Sequence, residues 1–174
     1  MQKILPSLVL MLVCAVVCGL LAAANAVTKD KIAQAEAEKV QKSLTAVFGE
    51  DTYTELENTA EDITAVEDIT AVYENSKGML IFDVTADGYA KGGIRALIGI
   101  NPDGTVASVG IVSLSETPGL GTKINDPAYL SKYTGIVGVK EAPDAISGAT
   151  YSSKGLKRAV DTALTAFAQQ KEVQ

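Results

Sequence analysis

The sequence has no histidine, and its two cysteines, Cys14 and Cys18, both lie in an uncharged N-terminal stretch. Haem, iron–sulfur clusters, zinc and copper are held mainly by histidine and cysteine, so the rest of the chain has no ordinary ligand set for them. Serine or cysteine nucleophiles that depend on a histidine base are excluded for the same reason. If this protein transfers electrons, an organic cofactor must carry them.

The two cysteines also cannot cross-link the remainder of the chain. Because Cys14 and Cys18 are about one helical turn apart, they share one face of a helix, and no disulfide framework is expected. Val13 and Val17 precede them where a lipidated cysteine is normally preceded by a small residue, so lipidation is not expected either.

Acidic residues outnumber basic ones, and the formal net charge of the chain is −6. Lys3 is the only charged side chain before Lys29, so the part after the uncharged stretch is one unit more negative. An acidic surface repels phosphate backbones and anionic headgroups. Nucleic acid and anionic lipid are therefore not expected as partners.

The uncharged stretch covers residues 4–28. As a helix it would be about 37 Å long, and the hydrocarbon core of a bilayer is roughly 30 Å thick. With Lys3 before the stretch, the positive-inside rule places the N-terminus in the cytoplasm and the bulk of the chain on the other side. The alternative is a cleaved signal peptide, because Ala24-Asn25-Ala26 fits a small-x-small cleavage site.

After the anchor, the apolar pattern from Thr28 to Phe48 predicts a stalk helix that Gly49 ends. An exact duplication then follows, Glu61–Val66 and Glu67–Val72, which is too short to form a solenoid. We therefore divide the chain into an anchor at 1–28, a stalk and linker at 29–60, and an extracytoplasmic binding domain at 61–174.

Strands and helices in the last segment predict an α+β fold, with an antiparallel sheet flanked by helices. Two hairpins are expected, with strands at Ile69–Glu74, Met79–Thr85, Gly93–Ile100 and Val106–Ser113. A short helix should begin with Asp126-Pro127 and continue to Tyr133, and a further strand is expected at Ile136–Lys140. The apolar spacing over Tyr151–Gln170 predicts a final helix that covers one face of the sheet.

Directly before this final helix, Asp144 to Thr150 reads Asp-Ala-Ile-Ser-Gly-Ala-Thr. The small residues Ser147, Gly148 and Ala149 would let a large ligand or a modifying enzyme approach the backbone closely. A helix N-terminus, aided by Lys154, would stabilise a phosphate near Thr150. The alternative is that the hydroxyl residues of this stretch only cap the helix; they are Ser147, Thr150, Ser152 and Ser153.

A second stretch, Ser115 to Gly121, reads Ser-Glu-Thr-Pro-Gly-Leu-Gly. Pro118 fixes the backbone, whereas Gly119 and Gly121 permit conformations that other residues resist, so this loop could wrap a flat ring. A plain connecting turn is the alternative interpretation.

With both stretches present in this order, the sequence resembles the FMN-binding domain family, which is found in the G-type subunit of the Rnf electron-transport complex and in the C-type subunit of the sodium-translocating NADH:quinone oxidoreductase. The strand pair around Asn101-Pro102-Asp103-Gly104 adds to the resemblance. In this family, the last threonine of the Ser/Thr-Gly-Ala-Thr motif forms a phosphoester with FMN, installed by a separate flavin transferase that uses FAD and magnesium. The resemblance assigns this role to Thr150.

The same resemblance implies two further groups of residues. The transferase would recognise Asp144, Ser147, Gly148 and Ala149. The flavin would be lined by Glu116, Thr117, Gly119, Leu120 and Gly121. Lys123 and Lys140 are further candidate partners for oxygens of the ring or the phosphate, with ordinary solvated lysines as the alternative.

The function implied by the resemblance is electron relay through covalent FMN, in a single-pass membrane subunit of an Rnf-type complex that moves sodium or protons while transferring electrons between ferredoxin and NAD. The partners would be the other membrane and redox subunits, and the flavin transferase during maturation. The chain is not expected to be catalytic alone, and no resident metal is expected. Three alternatives stay open: the C-type subunit of the quinone reductase, a stand-alone flavin carrier, and a tethered binding module without redox function.

Overall fold

The computed structural model describes residues 5–56 and 68–173. The chain forms two compact units, of which the first ends at Val40 and the second begins at Gln41. The first copy of the duplicated hexapeptide lies outside the described residues, whereas Ile69 to Val72 of the second copy are part of a strand. The division into anchor, stalk and binding domain stays a prediction.

Helix α1 runs from Leu5 to Phe48. Among the described residues it is the one helix long and apolar enough to cross a membrane, and its most apolar window has a mean hydropathy of 2.7. The predicted stalk helix is confirmed as the continuation of this helix. It ends where expected, because the N–H of Gly49 donates to the carbonyl of Thr45 at 3.0 Å, as in a glycine C-cap.

The second unit is built on an antiparallel sheet, which confirms the predicted α+β class. Within the described part of the chain it has five strands in sequence order. The four predicted strands are confirmed, with ends that differ by no more than one residue, whereas the short first strand was not predicted. The strands are β1 (Tyr53–Glu55), β2 (Ile69–Asn75), β3 (Leu80–Ala86), β4 (Ile94–Ile100) and β5 (Val106–Leu114).

Both faces of this sheet are covered within the second unit. The final helix, called α3 here (Thr150–Val173), packs on β3 and β4 with Leu156, Val160 and Ala163 fully buried, as predicted. The last turns of α1 cover the opposite face, for which the sequence predicted no partner. There, Phe48 and Val47 lie so close to the sheet that a Cβ on Gly99 or Gly110 would collide with them.

The connection between β5 and α3 contains only short elements. A 3₁₀ segment at Gly121–Asn125 precedes helix α2 (Pro127–Leu130), and a second 3₁₀ turn continues to Tyr133. Asp126 caps α2 by accepting from the N–H of Ala128 at 2.9 Å, so the predicted short helix is confirmed.

The strand predicted at Ile136–Lys140 was wrong. The segment meets β5 through only two backbone hydrogen bonds, which join Gly135 and Ile136 to Val106. Beyond them Val137 is exposed, and Val139–Glu141 forms a 3₁₀ turn. A single buried side chain, that of Ile136, accounts for the apolar signal at the start of this segment.

Candidate functional site

A pocket of about 380 Å³ opens where three segments of the second unit meet: the turn after β3, the loop after β5 and the first turn of α3. This volume falls within the range of roughly 300–1,000 Å³ that is common for small-molecule sites. The two stretches singled out in the sequence therefore come together in space. The pocket is lined by Tyr89, Glu116, Thr117, Leu120, Gly121, Gly148, Ala149, Thr150, Tyr151 and Ser152.

Thr150 is the first residue of α3, and it is exposed at the wall of the pocket. The backbone turns sharply just before it, at Gly148 with φ +78°, a conformation that residues with a Cβ seldom adopt. The N–H groups of the first turn of a helix have no partner within the helix and form its positive end. The Thr150 hydroxyl is therefore accessible, and it lies where an anion would be stabilised.

The neighbouring serines do not act as ordinary helix caps. Ser153 accepts a hydrogen bond from the N–H of Ile146 at 3.1 Å, which ties the preceding loop to the helix. Ser152 donates its hydroxyl hydrogen to Glu116. Since a capping side chain accepts from an N–H of the first helical turn, these contacts weigh against capping as the role of these serines.

Glu116 is buried, with 6% of its surface exposed, and its carboxylate accepts three hydrogen bonds. Besides the Ser152 hydroxyl, the donors are the N–H groups of Tyr89 at 3.0 Å and Ala90 at 3.1 Å. Burial by itself would raise the pKa of Glu116, but these hydrogen bonds to the charged form outweigh it and hold the pKa below its ordinary value of 4.5. Glu116 is therefore an ionised group inside the wall of the pocket.

Two tyrosines and a leucine form the rim of the pocket. Tyr89 and Tyr151 are 75% and 70% exposed, and Leu120 is 48% exposed. The rings of the two tyrosines meet edge to face, with their centroids 6.3 Å apart. This exposed apolar surface suits a flat aromatic ligand, which would remove it from water.

The structure brings most of the predicted site residues to this pocket. Gly119, Asp144 and Ser147 do not line it; they are exposed in the adjoining loops. Tyr89 and Tyr151 were not predicted, and Ser152 was given only a capping role. Tyr151 and Ser152 directly follow Thr150, which was the available signal, whereas no motif marked Tyr89. The predicted residues that do line the pocket are Glu116, Thr117, Leu120, Gly121, Gly148, Ala149 and Thr150.

The expectation that Lys154 adds a positive charge beside Thr150 stays a prediction, because Lys154 itself does not line the pocket. Lys154 lies one turn further along α3 and lines a separate cleft with Val139, Lys157, Arg158 and Asp161. Lys123 and Lys140 are exposed and do not line the pocket either. Among the groups that line the pocket, the positive potential at Thr150 comes from the helix N-terminus.

Comparison with protein families agrees with this geometry. Residues 88–165 match the FMN-binding domain, and this range contains every residue that lines the pocket. The second unit thus contains a segment that is similar to the FMN-binding domain. Residues 5–47 in addition match the RnfG N-terminal region, so most of helix α1 also has a family counterpart.

The most similar curated relatives include the G-type subunit of the ion-translocating oxidoreductase complex from three organisms. The chain is 49% identical to the protein of Pasteurella multocida over 55 residues, which are 31% of this chain and 27% of that protein. It is 38% identical to the protein of Cereibacter sphaeroides over 111 residues, 60% of this chain and 50% of that protein. It is 32% identical to the protein of Vibrio atlanticus over 117 residues, 62% and 56% respectively. The matched segments thus span about half the length of the latter two relatives.

Proposed function

We propose that this chain is an FMN-carrying, membrane-anchored subunit that relays electrons within an ion-translocating oxidoreductase complex of the Rnf type. The observation that carries the proposal is the pocket beside Thr150, inside the FMN-binding domain. The RnfG N-terminal region and the names of the relatives support the assignment to the G-type subunit. Alone the chain would not turn over ferredoxin or NAD, since a carrier needs its partner subunits.

The residues of the pocket fit the two halves of FMN. The apolar surface of Tyr89, Leu120 and Tyr151 suits the isoalloxazine ring, which is flat and aromatic. The N-terminus of α3 suits the phosphate, because its free N–H groups and its dipole favour an anion. Gly148 and Ala149 keep the wall between these two parts free of bulky side chains.

The attachment that we propose is a phosphoester between the Thr150 hydroxyl and the FMN phosphate. In this step the Thr150 oxygen bonds to the flavin-side phosphorus of FAD, the diphosphate bond breaks, AMP leaves, and the hydroxyl proton passes to the transferase. No electrons are gained or lost. The exposure of Thr150, Ser147 and Asp144 supports this step, since an enzyme must reach all three.

When bound, FMN supplies one- and two-electron transfer that no side chain of this protein offers. A link through the phosphate leaves the ring unmodified, so packing and hydrogen bonds from the pocket would set its reduction potential. The link would also prevent loss of the cofactor on the outer side of the membrane. We propose that side for the flavin domain because Lys3 precedes the anchor.

The mass of the intact protein tests the attachment. The full chain is co-expressed with a flavin transferase, solubilised in detergent, and compared with Thr150→Val and with a matched control, Thr134→Val, at an exposed threonine outside the pocket. The wild type and the control should gain the mass of FMN less one water, and Thr150→Val should not. An adduct on Thr150→Val would refute the site. An unmodified wild type, produced beside a substrate that the transferase does modify, would refute covalent attachment.

The same preparation tests one alternative, and the sequence and its gene neighbourhood test another. Mature protein without bound flavin of any kind would favour a tethered binding module without redox function. The RnfG N-terminal region weighs against the C-type subunit of the quinone reductase. The neighbouring genes would test that choice independently, because ferredoxin-like and membrane subunits beside this gene would indicate an Rnf complex.

A further inference from the structure

We infer that Glu116 is a positioning residue that joins the turn after β3 to the first turn of α3 and so fixes two walls of the pocket. The resemblance suggests that Glu116 lines the flavin, whereas the geometry gives its carboxylate a role inside the protein. The effect of Glu116 on bound flavin rests on the proposed function, whereas its effect on the walls of the pocket is independent of that function.

The hydrogen bonds of Glu116 give the first argument. Its Oε2 accepts from the Tyr89 N–H and from the Ser152 hydroxyl, and its Oε1 accepts from the Ala90 N–H. These donors come from segments that lie 26, 27 and 36 residues away in the chain. Two ionised oxygens that are buried and already bonded to three donors have little capacity left for a ligand.

The space around Glu116 gives a second, independent argument. Glycine occupies three positions where a Cβ would lie within 3 Å of this side chain: Gly88, Gly93 and Gly121. At Gly88 and Gly93 the nearest atom is Oε1, at 2.5 Å, and at Gly121 the Glu116 Cβ lies at 2.8 Å. The backbone thus closes around the carboxylate from two sides, so Glu116 cannot turn away without opening the wall.

The residues that Glu116 holds are the ones that shape the pocket. Tyr89 carries one of the two rim tyrosine rings, and its backbone is bonded directly to Glu116. Ser152 is two residues after Thr150 in the same helical turn. A change at Glu116 should therefore alter both the aromatic rim and the placement of the Thr150 hydroxyl.

Hydrogen exchange on the full chain in detergent tests the inference without flavin. Glu116→Gln keeps one acceptor oxygen and replaces the other by an NH₂ group, so the N–H of either Tyr89 or Ala90 loses its acceptor. That amide should then exchange roughly tenfold faster or more, since hydrogen bonds to charged groups are among the stronger ones. The matched control is Glu50→Gln, an exposed glutamate next to the end of α1, which should leave both amides unchanged.

A second variant guards against simple unfolding. Ser152→Ala removes one donor to Glu116 and should accelerate amide exchange at Tyr89 and Ala90 by a smaller factor. The double variant, Glu116→Gln with Ser152→Ala, should exchange no faster than Glu116→Gln alone, because both changes act on one contact. If both single variants leave the exchange of Tyr89 and Ala90 as in the wild type, the inference is wrong. Additive effects of the two changes would also refute it.

The flavin arm uses wild-type protein that has gained FMN. Glu116→Gln should lower the rate of FMN incorporation and shift the visible absorption band and midpoint potential of whatever flavin is bound, and Glu50→Gln should do neither. Wild-type protein without flavin would count against the proposed function, but the hydrogen-exchange experiment would still test the role of Glu116. The positioning role would be refuted if Glu116→Gln incorporated FMN at the wild-type rate and its bound flavin had the absorption band and midpoint potential of the wild type.

Discussion

Replacing Gly121 by alanine should damage the pocket through one clash. An added Cβ would lie 2.5 Å from the Ser152 Oγ, 2.8 Å from the Glu116 Cβ and 2.9 Å from the Glu116 Oε2. Neither side chain can move freely, because both are buried and bonded to each other. The φ angle of Gly121 lies outside the left-handed region, so backbone strain adds nothing to this effect.

The expected size follows from overpacking of a closely packed interior, which costs about 1–3 kcal/mol. For a unit of this size, each kcal/mol corresponds to a change in melting temperature of roughly 3–6 °C. Gly121→Ala should therefore melt several degrees below the wild type in detergent. It should also incorporate less FMN, since the clash pushes apart the Glu116–Ser152 contact that fixes the pocket wall.

Two other glycines serve as controls that separate steric clash from backbone strain. Gly119 has φ +73° but open space around it, so Gly119→Ala should cost about 1 kcal/mol through backbone strain without a steric clash. Gly138 has open space and an extended φ of −165°, so Gly138→Ala should change little. If Gly121→Ala melts and incorporates flavin like Gly138→Ala, the tight contact between the loop and Glu116 does not exist in solution.

Two further predictions concern the stability of the protein in acid and the packing of α1 on the sheet. The pKa of Glu116 in the folded protein lies below its ordinary value of 4.5. Its contribution to stability is therefore complete above the unfolded pKa and is lost as the pH falls through the folded pKa. Melting temperatures measured from neutral pH into this acid range should fall accordingly, and Glu116→Gln should flatten this part of the plot of melting temperature against pH. Leu44 is fully buried near the end of α1, so Leu44→Ala should destabilise the second unit by about 3 kcal/mol, measured by thermal melting. Gln41 is exposed, so the control Gln41→Ala should stay within about 0.5 kcal/mol of the wild type in the same measurement.

The fold was predictable where the signal is local. Strands β2 to β5 follow from apolar runs between turn residues, and α3 follows from its apolar spacing. Strand β1 has only three residues, Tyr53–Glu55, and half-buried or exposed side chains, so it has no pattern to detect. The second covered face was missed because it depends on Phe48 and Val47 meeting Gly99 and Gly110, contacts that bridge more than fifty residues of sequence.

The candidate site divides in the same way, and the division has a physical cause. The attachment that we propose requires access to Thr150, and the residues before it, Ser147, Gly148 and Ala149, are small, consecutive and visible as a motif. The residues that hold the walls, in contrast, need only meet in space. Tyr89 is fixed through its backbone N–H, which any residue except proline would supply, so its identity carries no trace of the contact with Glu116. The motif therefore indicates where the chemistry would occur, whereas the buried carboxylate that orders the surrounding loops becomes visible only once the chain is folded.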